Sequence, residues 1–453
     1  MSVWSIFDRE HTIAGPGYSR WLVPPAALAI HLSIGQAYAF SVFNLPMSKL
    51  IGITDSAPAD WKLSTIGWVF SVAIVFLGLS AATFGAWLER AGPRKAMFAS
   101  ALCFGGGFLV AALGVATHRF WMVVAGYGVL GGIGLGLGYI SPVSTLIKWF
   151  PDRPGMATGM AIMGFGGGAM IASPLATALM AHFRTPSSQG VWQTFAALGI
   201  LYFTFMMFGV FTIRVPADGW RPAGYVPPPP RAMVTTGNVS VNEAVRTPQF
   251  WLLWVMLCVN VTAGIGVLGQ ASPMIQEMFP GIITAGAAAG FVGLLSLANM
   301  GGRFFWSSLS DYIGRRATYA TFFLLGAALY ALVPATGRAR NVVLFVLGYV
   351  VIMSMYGGGF ATIPAYLRDL FGTMQVGAIH GRLLTAWSTA GVLGPVLVNY
   401  IREYQIGRGV PKAGAYTVTM YIMAGLLLIG LICALFVRPV GARHLYAEGR
   451  AVA

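Results

Sequence analysis

About twelve long, nearly uncharged runs, separated by short polar connections, leave this chain few ways to fold. The hydrocarbon core of a bilayer takes a helix of about 20 apolar residues. Inside it the backbone must satisfy its own hydrogen bonds, which allows only helices or closed barrels. The runs are long and do not alternate apolar with polar, so helices are expected. Only 9% of residues are charged, against roughly a quarter in soluble domains, so most of the chain cannot face water. The runs place spans near Trp21–Met47, Leu63–Trp87, Ala96–Ala116, Phe120–Phe150, Gly155–Phe183 and Val191–Ile213, then Phe250–Met278, Ala285–Leu309, Ala317–Pro334, Val342–Leu367, Leu383–Ile401 and Tyr416–Val437.

The net charge of +15 invites a nucleic-acid reading, but the placement of the charges argues against it. With connections alternating sides, 18 of the 28 Lys and Arg residues fall on the side holding both termini, nine fall on the other, and Arg303 lies inside a span. That excess is the positive-inside signature, and it places both termini in the cytoplasm of an inner-membrane protein. The three cysteines, Cys103, Cys258 and Cys433, are dispersed within spans and offer neither a disulfide framework nor zinc spacing. No signal-peptide core precedes the first span, which is expected to stay as an anchor.

Residues 214–247 form a polar stretch containing Pro227–Pro230. Proline runs make solvated, semi-rigid spacers. The expected organisation is therefore an N-terminal six-helix bundle (1–213), a cytoplasmic linker (214–247) and a C-terminal six-helix bundle with a short tail (248–453). The bundles repeat. Glu89-Arg90-Ala91-Gly92-Pro93-Arg94 and Asp311-Tyr312-Ile313-Gly314-Arg315-Arg316 end the second and eighth spans at an offset of 222 residues. The same offset relates Gly155 to Gly377 and Gly159 to Gly381. The glycine permits a tight turn, and the acid with its nearby arginines is read as a charge latch that breaks as the halves rock. Six-span repeats are a common design of transporters, with substrate bound near mid-membrane at the repeat interface. The expected fold is an all-α membrane protein of twelve transmembrane helices in two pseudo-symmetric bundles.

The paired loops resemble the signature of the major facilitator superfamily. Trp149-Phe150-Pro151-Asp152-Arg153-Pro154-Gly155, Arg246-Thr247-Pro248-Gln249-Phe250-Trp251 and Gly35-Gln36-Ala37-Tyr38 together resemble its oxalate/formate antiporter family, which is related to the monocarboxylate transporters. The resemblance covers nearly the whole chain. It implies small carboxylate substrates moved by alternating access.

Arg303 stands eight residues before Asp311, about 12 Å along a helix, so it is expected near mid-membrane. An arginine there is costly and usually lines a pathway, and its planar fork fits a carboxylate. The competing reading is an arginine snorkelling to the interface. Asn299, one turn earlier, shares its face; it either orients Arg303, donates to the substrate or bonds a neighbouring helix. In the resembling family an arginine at the Arg303 position binds the substrate carboxylate. The acid that monocarboxylate transporters carry one turn earlier is Asn299 here. The resemblance also assigns Tyr38, Tyr139 and Tyr356 to the cavity lining. Oxalate transporters carry a lysine in helix eleven where this chain has Trp387. One cavity cation suits one carboxylate, because a second would be buried unpaired.

The expected substrate is therefore a small monocarboxylate of the formate, lactate or pyruvate kind. Exchange of another organic acid and drug or other solute efflux are the rival readings. No aspartate or glutamate lies deep in a span, and His31 is read as the titratable group suited to proton coupling, with a packing role as the alternative. Protons or a counter-anion are the expected coupling partners of a monomeric protein in the lipid bilayer. No histidine, acid or cysteine spacing indicates a metal, a cofactor or an enzyme active site.

Overall fold

The computed structural model describes residues 3–226, 233–268 and 270–445. Among them, eleven helices are long and apolar enough to cross a membrane. We number the spans in chain order: α1 Arg20–Met47, α2 Leu63–Ala91, α3 Pro93–Ala116, α4 Phe120–Trp149, α5 Pro154–Phe183 and α6 Val191–Thr212. The second six are α7 Pro248–Leu268, α8 Ala285–Ile313, α9 Arg315–Arg338, α10 Val342–Phe371, α11 Val376–Gly407 and α12 Thr417–Phe436. The helix outside the eleven is α8, whose apolar run is interrupted by Asn299 and Arg303. At 29 residues it equals its repeat mate α2. Thr284 and Asn341 cap α8 and α10 by accepting from the amides of Ala287 and Leu344, the usual way to satisfy first-turn donors.

The chain forms two compact units: Met1–Asp152 with Met160–Pro227 and Gly377–Ser388, and Arg153–Gly159 with Pro228–Val376 and Thr389–Ala453. Within the first, α2 packs on α4, α3 on α6, and α1 on α6 and α4. Within the second, the equivalent pairs recur: α8 on α10, α9 on α12, and α7 on α12 and α10. A single glycine joins α2 to α3 and α8 to α9. Gly92 (φ 87°, ψ 162°) and Gly314 (φ 87°, ψ 151°) adopt the same conformation, one that side-chain-bearing residues avoid.

Several helices depart from the expected regular spans. The middle of α1, Gly35–Phe43, is a 3₁₀-helix, and Val124–Gly131 in α4 is a π-helix; such segments concentrate at hinges and functional sites. The expected span Phe250–Met278 is two helices, α7 and a short Ala271–Met278. The eleventh span starts at Val376, earlier than the expected Leu383, and is interrupted at Leu384. Of the expected linker, residues 233–247 run along unit two. Thr235 and Val239 amides donate to the carbonyls of Asp369 and Phe371, and Val241–Ala244 is a one-turn helix capped by Ser240. Pro227–Pro230 lie outside the described residues.

Candidate functional site

In unit two, Arg303 lies ten residues before the end of α8, about 15 Å from it. It is fully buried, as is Asn299. The Arg303 Nε donates to Asn299 Oδ1 at 3.1 Å, and the guanidinium carbon stands 5.2 Å from the centre of the Phe360 ring. A helical hydrogen bond from one turn earlier and an aromatic face therefore fix the plane of the guanidinium. Gly357 of α10 makes this approach possible. A Cβ there would stand 2.2 Å from the Asn299 carbonyl oxygen and 3.1 Å from Arg303 Cγ. Tyr356 is buried beside it, its ring against Gly264 of α7. Phe360 was not expected from the sequence; its signal is its place directly after Gly357-Gly358-Gly359.

Unit one gathers Tyr38, Tyr139 and Trp387 into one aromatic cluster around Phe165. The Tyr139–Trp387, Phe165–Trp387 and Tyr38–Phe165 centroid distances are 5.2, 5.3 and 5.1 Å. Trp387 reaches it from just past the interruption of α11, where its amide donates to Leu384 and Ser388 Oγ donates to the Ile74 carbonyl of α2 at 3.0 Å. His31 is fully buried, edge-on to Tyr139 at 5.4 Å. A second histidine, His380, lies 5.8 Å from the Tyr139 ring and is also buried. Because α11 begins at Val376, His380 falls inside it.

The paired loops build two matching contacts. Asp311 accepts the amides of Gly155 (2.8 Å) and Met156 (2.9 Å) at the start of α5. Glu89 accepts the amide of Gly377 (2.9 Å) at the start of α11. Donor and acceptor positions are both related by the 222-residue offset. A carboxylate at a helix N-terminus is stabilised by the unpaired amides and the helix dipole. Asp311 is also paired with Arg315 (2.6 Å), which reaches on to Asp369 (3.0 Å). The cation on Glu89 is Lys148 (2.9 Å), not Arg90, which is exposed, or Arg94. Arg94 is buried and donates to the carbonyls of Ile6 (2.8 Å) and Ile213 (3.3 Å). Arg316 is exposed and donates to the Leu435 carbonyl.

The sequence matches the family description Major Facilitator Superfamily over residues 18–302 and again over 273–451. The chain belongs to the major facilitator superfamily. It is a membrane transporter rather than an enzyme. It is 27% identical over 380 residues to the oxalate:formate antiporter of Oxalobacter formigenes, covering 83% of each chain. It is 26% identical over 372 residues to the uncharacterized transporter YhjX of Escherichia coli, covering 80% of this chain and 83% of that one. Apicoplast pyruvate carrier 1 of Toxoplasma gondii is 24% identical over 378 residues, 72% of this chain and 68% of the other. Among solved superfamily structures, the fold resembles the proton:xylose symporter XylE (TM-score 0.65, 16% identity, 92% and 94% coverage). The human organic anion transporter MFSD10 gives a TM-score of 0.65 at 13% identity, with 93% and 100% coverage.

Proposed function

We propose that the protein carries small monocarboxylates across the cytoplasmic membrane by alternating access, with both termini inside and the anion held on Arg303. The observation that carries this reading is a fully buried guanidinium in the middle of α8, oriented by Asn299 and Phe360. Keeping such a charge in a span costs about 3 kcal/mol or more on insertion scales, so its retention argues for an anionic ligand. The planar fork of a guanidinium matches the two oxygens of a carboxylate and can grip it with two hydrogen bonds. Tyr38, Tyr139, Tyr356 and Trp387 are assigned to the same task of shaping and drying the pathway. The aromatic Trp387, in place of a second cation, favours one carboxylate over two. The names of the antiporter and pyruvate-carrier relatives support a carboxylate substrate. The antiporter relative also favours a second reading of the cycle, exchange of one carboxylate for another.

Ligand binding raises apparent stability by RT ln(1 + [L]/Kd), about 2.7 kcal/mol at a hundredfold excess over Kd. Thermal unfolding of the purified protein with formate, acetate, lactate, pyruvate and oxalate therefore tests the reading. Stabilisation by a monocarboxylate, lost in Arg303→Gln, is expected. Equal stabilisation of the variant, or a preference for oxalate, contradicts it.

A further inference from the structure

The first two turns of α11 lie hard against α2. A Cβ at Gly381 would stand 2.1 Å from the Ala81 carbonyl oxygen, one at Gly377 2.7 Å from Glu89 Oε1, and one at Gly85 2.8 Å from the Ala378 Cα. His380, one residue before Gly381, turns to α4 instead, where its ring centre lies 5.8 Å from that of Tyr139. The residue is only 2% exposed. Helix α11 is itself divided. Gly377–Ser388 belongs to unit one, and the helix from Thr389 onward belongs to unit two.

His380 Nε2 is buried and has no hydrogen-bond partner among the described residues. Buried hydroxyls on the same two helices are satisfied: Ser144 Oγ donates to the Ser141 carbonyl and Ser388 Oγ to that of Ile74, each at 3.0 Å. Buried polar atoms are rarely left unpaired without a reason. For an imidazole nitrogen inside a transporter, that reason is readily a proton. The charged groups around the segment are otherwise engaged or of the wrong sign. Glu89 of α2 is held by Lys148 of α4 (2.9 Å) and by the Gly377 amide (2.9 Å). Arg382 is the segment's own charge. Tyr139 and, against its ring at 5.4 Å, His31 of α1 complete the titratable set.

We propose that His380 takes up the proton that travels with each substrate anion, so that transport is proton symport. This rests on the proposed passage of a monocarboxylate along the cluster that Tyr139 and Trp387 form. A charge sealed in that place without a counter-ion is costly. The proton therefore settles on Nε2 when an anion stands nearby, and the anion gains from the proton by the same free energy. The Nε2 lone pair accepts the proton from water on one side and returns it to water on the other, with no bond formed to the substrate. Rocking of the repeats changes the surroundings of a segment shared between units, which lets proton and anion leave together.

The test uses the full-length protein in proteoliposomes with labelled formate, lactate or pyruvate, corrected for protein-free liposomes. Counterflow at equal pH is compared with net uptake driven by an alkaline interior. A gradient of one pH unit supplies about a tenfold driving force when one proton moves with each anion, so net uptake by the parent should rise several-fold. His380→Gln should keep counterflow within about threefold of the parent, less than one ordinary hydrogen bond is worth, and lose the response to the gradient. Net uptake by the variant that still follows the gradient, or a parent indifferent to it, overturns the inference. Loss of counterflow as well in His380→Gln also overturns it, because a residue needed only for the proton leaves exchange intact. A parent without counterflow of any of the three acids would remove the monocarboxylate reading itself, and the inference with it.

Discussion

Asn299 Oδ1 accepts the Nε–H of Arg303 at 3.1 Å, one helical turn apart on α8. The amide is neutral, so it orients the guanidinium without cancelling its charge. Asn299→Asp would place a carboxylate in the same position, where it pairs with Arg303 and competes with an external anion. Uptake by this variant should be weak at pH 7.5 and rise as pH falls and the new carboxyl protonates, whereas the parent protein should change less over the same range. A parallel pH profile of the two proteins would contradict this role for Asn299.

Trp387, at the position where the sequence resemblance implies a lysine in oxalate transporters, lies in the aromatic cluster of unit one. If the count of cavity cations sets the preferred substrate charge, Trp387→Lys should improve dicarboxylate binding by about tenfold or more, the worth of one charge-assisted bond. Competition of oxalate against a labelled monocarboxylate measures this. No gain, in a variant that still binds the monocarboxylate, counts against charge counting as the basis of selectivity.

The two loop acids are equivalent by repeat but unequal in partners. Asp311 accepts two helix amides and a buried guanidinium, whereas Glu89 accepts one amide and a part-exposed lysine. Breaking a buried ion pair typically costs about 3–5 kcal/mol, and a more exposed one much less. Asp311→Ala should therefore lower the melting temperature clearly more than Glu89→Ala. Equal or reversed losses would show that these amide and ion-pair partners do not govern the two contacts.

On the opposite side of the membrane from the latches in the expected topology, Asp60 gathers the loop before α2. Burial pushes its carboxyl up, but the amides of Ile51 (2.8 Å), Ala57 (2.8 Å) and Gly52 (3.0 Å), with His118 nearby, outweigh it and hold the pKa below the ordinary value. A carboxyl depressed in the folded state adds stability above its unfolded pKa, about 3.9, and loses it as pH falls through the folded value. Hydrogen exchange of residues 51–60 should be slower in the parent than in Asp60→Asn at pH 7. Parent and variant should converge as pH drops below about 4. A difference that persists undiminished at low pH would assign the loop's order to something other than the carboxylate.

Much of this was legible in the residues because hydropathy, charge and repeat spacing are properties of the chain itself. The spans follow from apolar runs, and the 222-residue offset shows the repeat. Arg303 is visible as a lone charge in an uncharged stretch. Hydrogen-bond register is not written in hydropathy, so the 3₁₀ turn at Gly35–Phe43 and the π-helix at Val124–Gly131 were read as ordinary helix. The start of α11 was read too late, because a cap supplied by Glu89 from 288 residues away has no local signature. His380 was therefore left outside the span. The sorting of the loop cations was equally hidden. Arg94 resembles a latch residue in its motif, but it is drawn to backbone carbonyls by the folding back of the N-terminal segment.

The central claim is that Arg303 carries the substrate anion. It is tested most directly by uptake of a labelled small monocarboxylate into proteoliposomes holding equal amounts of parent and Arg303→Gln protein. Losing a bidentate, charge-assisted pair should reduce uptake by about a hundredfold or more. Uptake by Arg303→Gln within about threefold of the parent, less than one ordinary hydrogen bond is worth, would contradict the account.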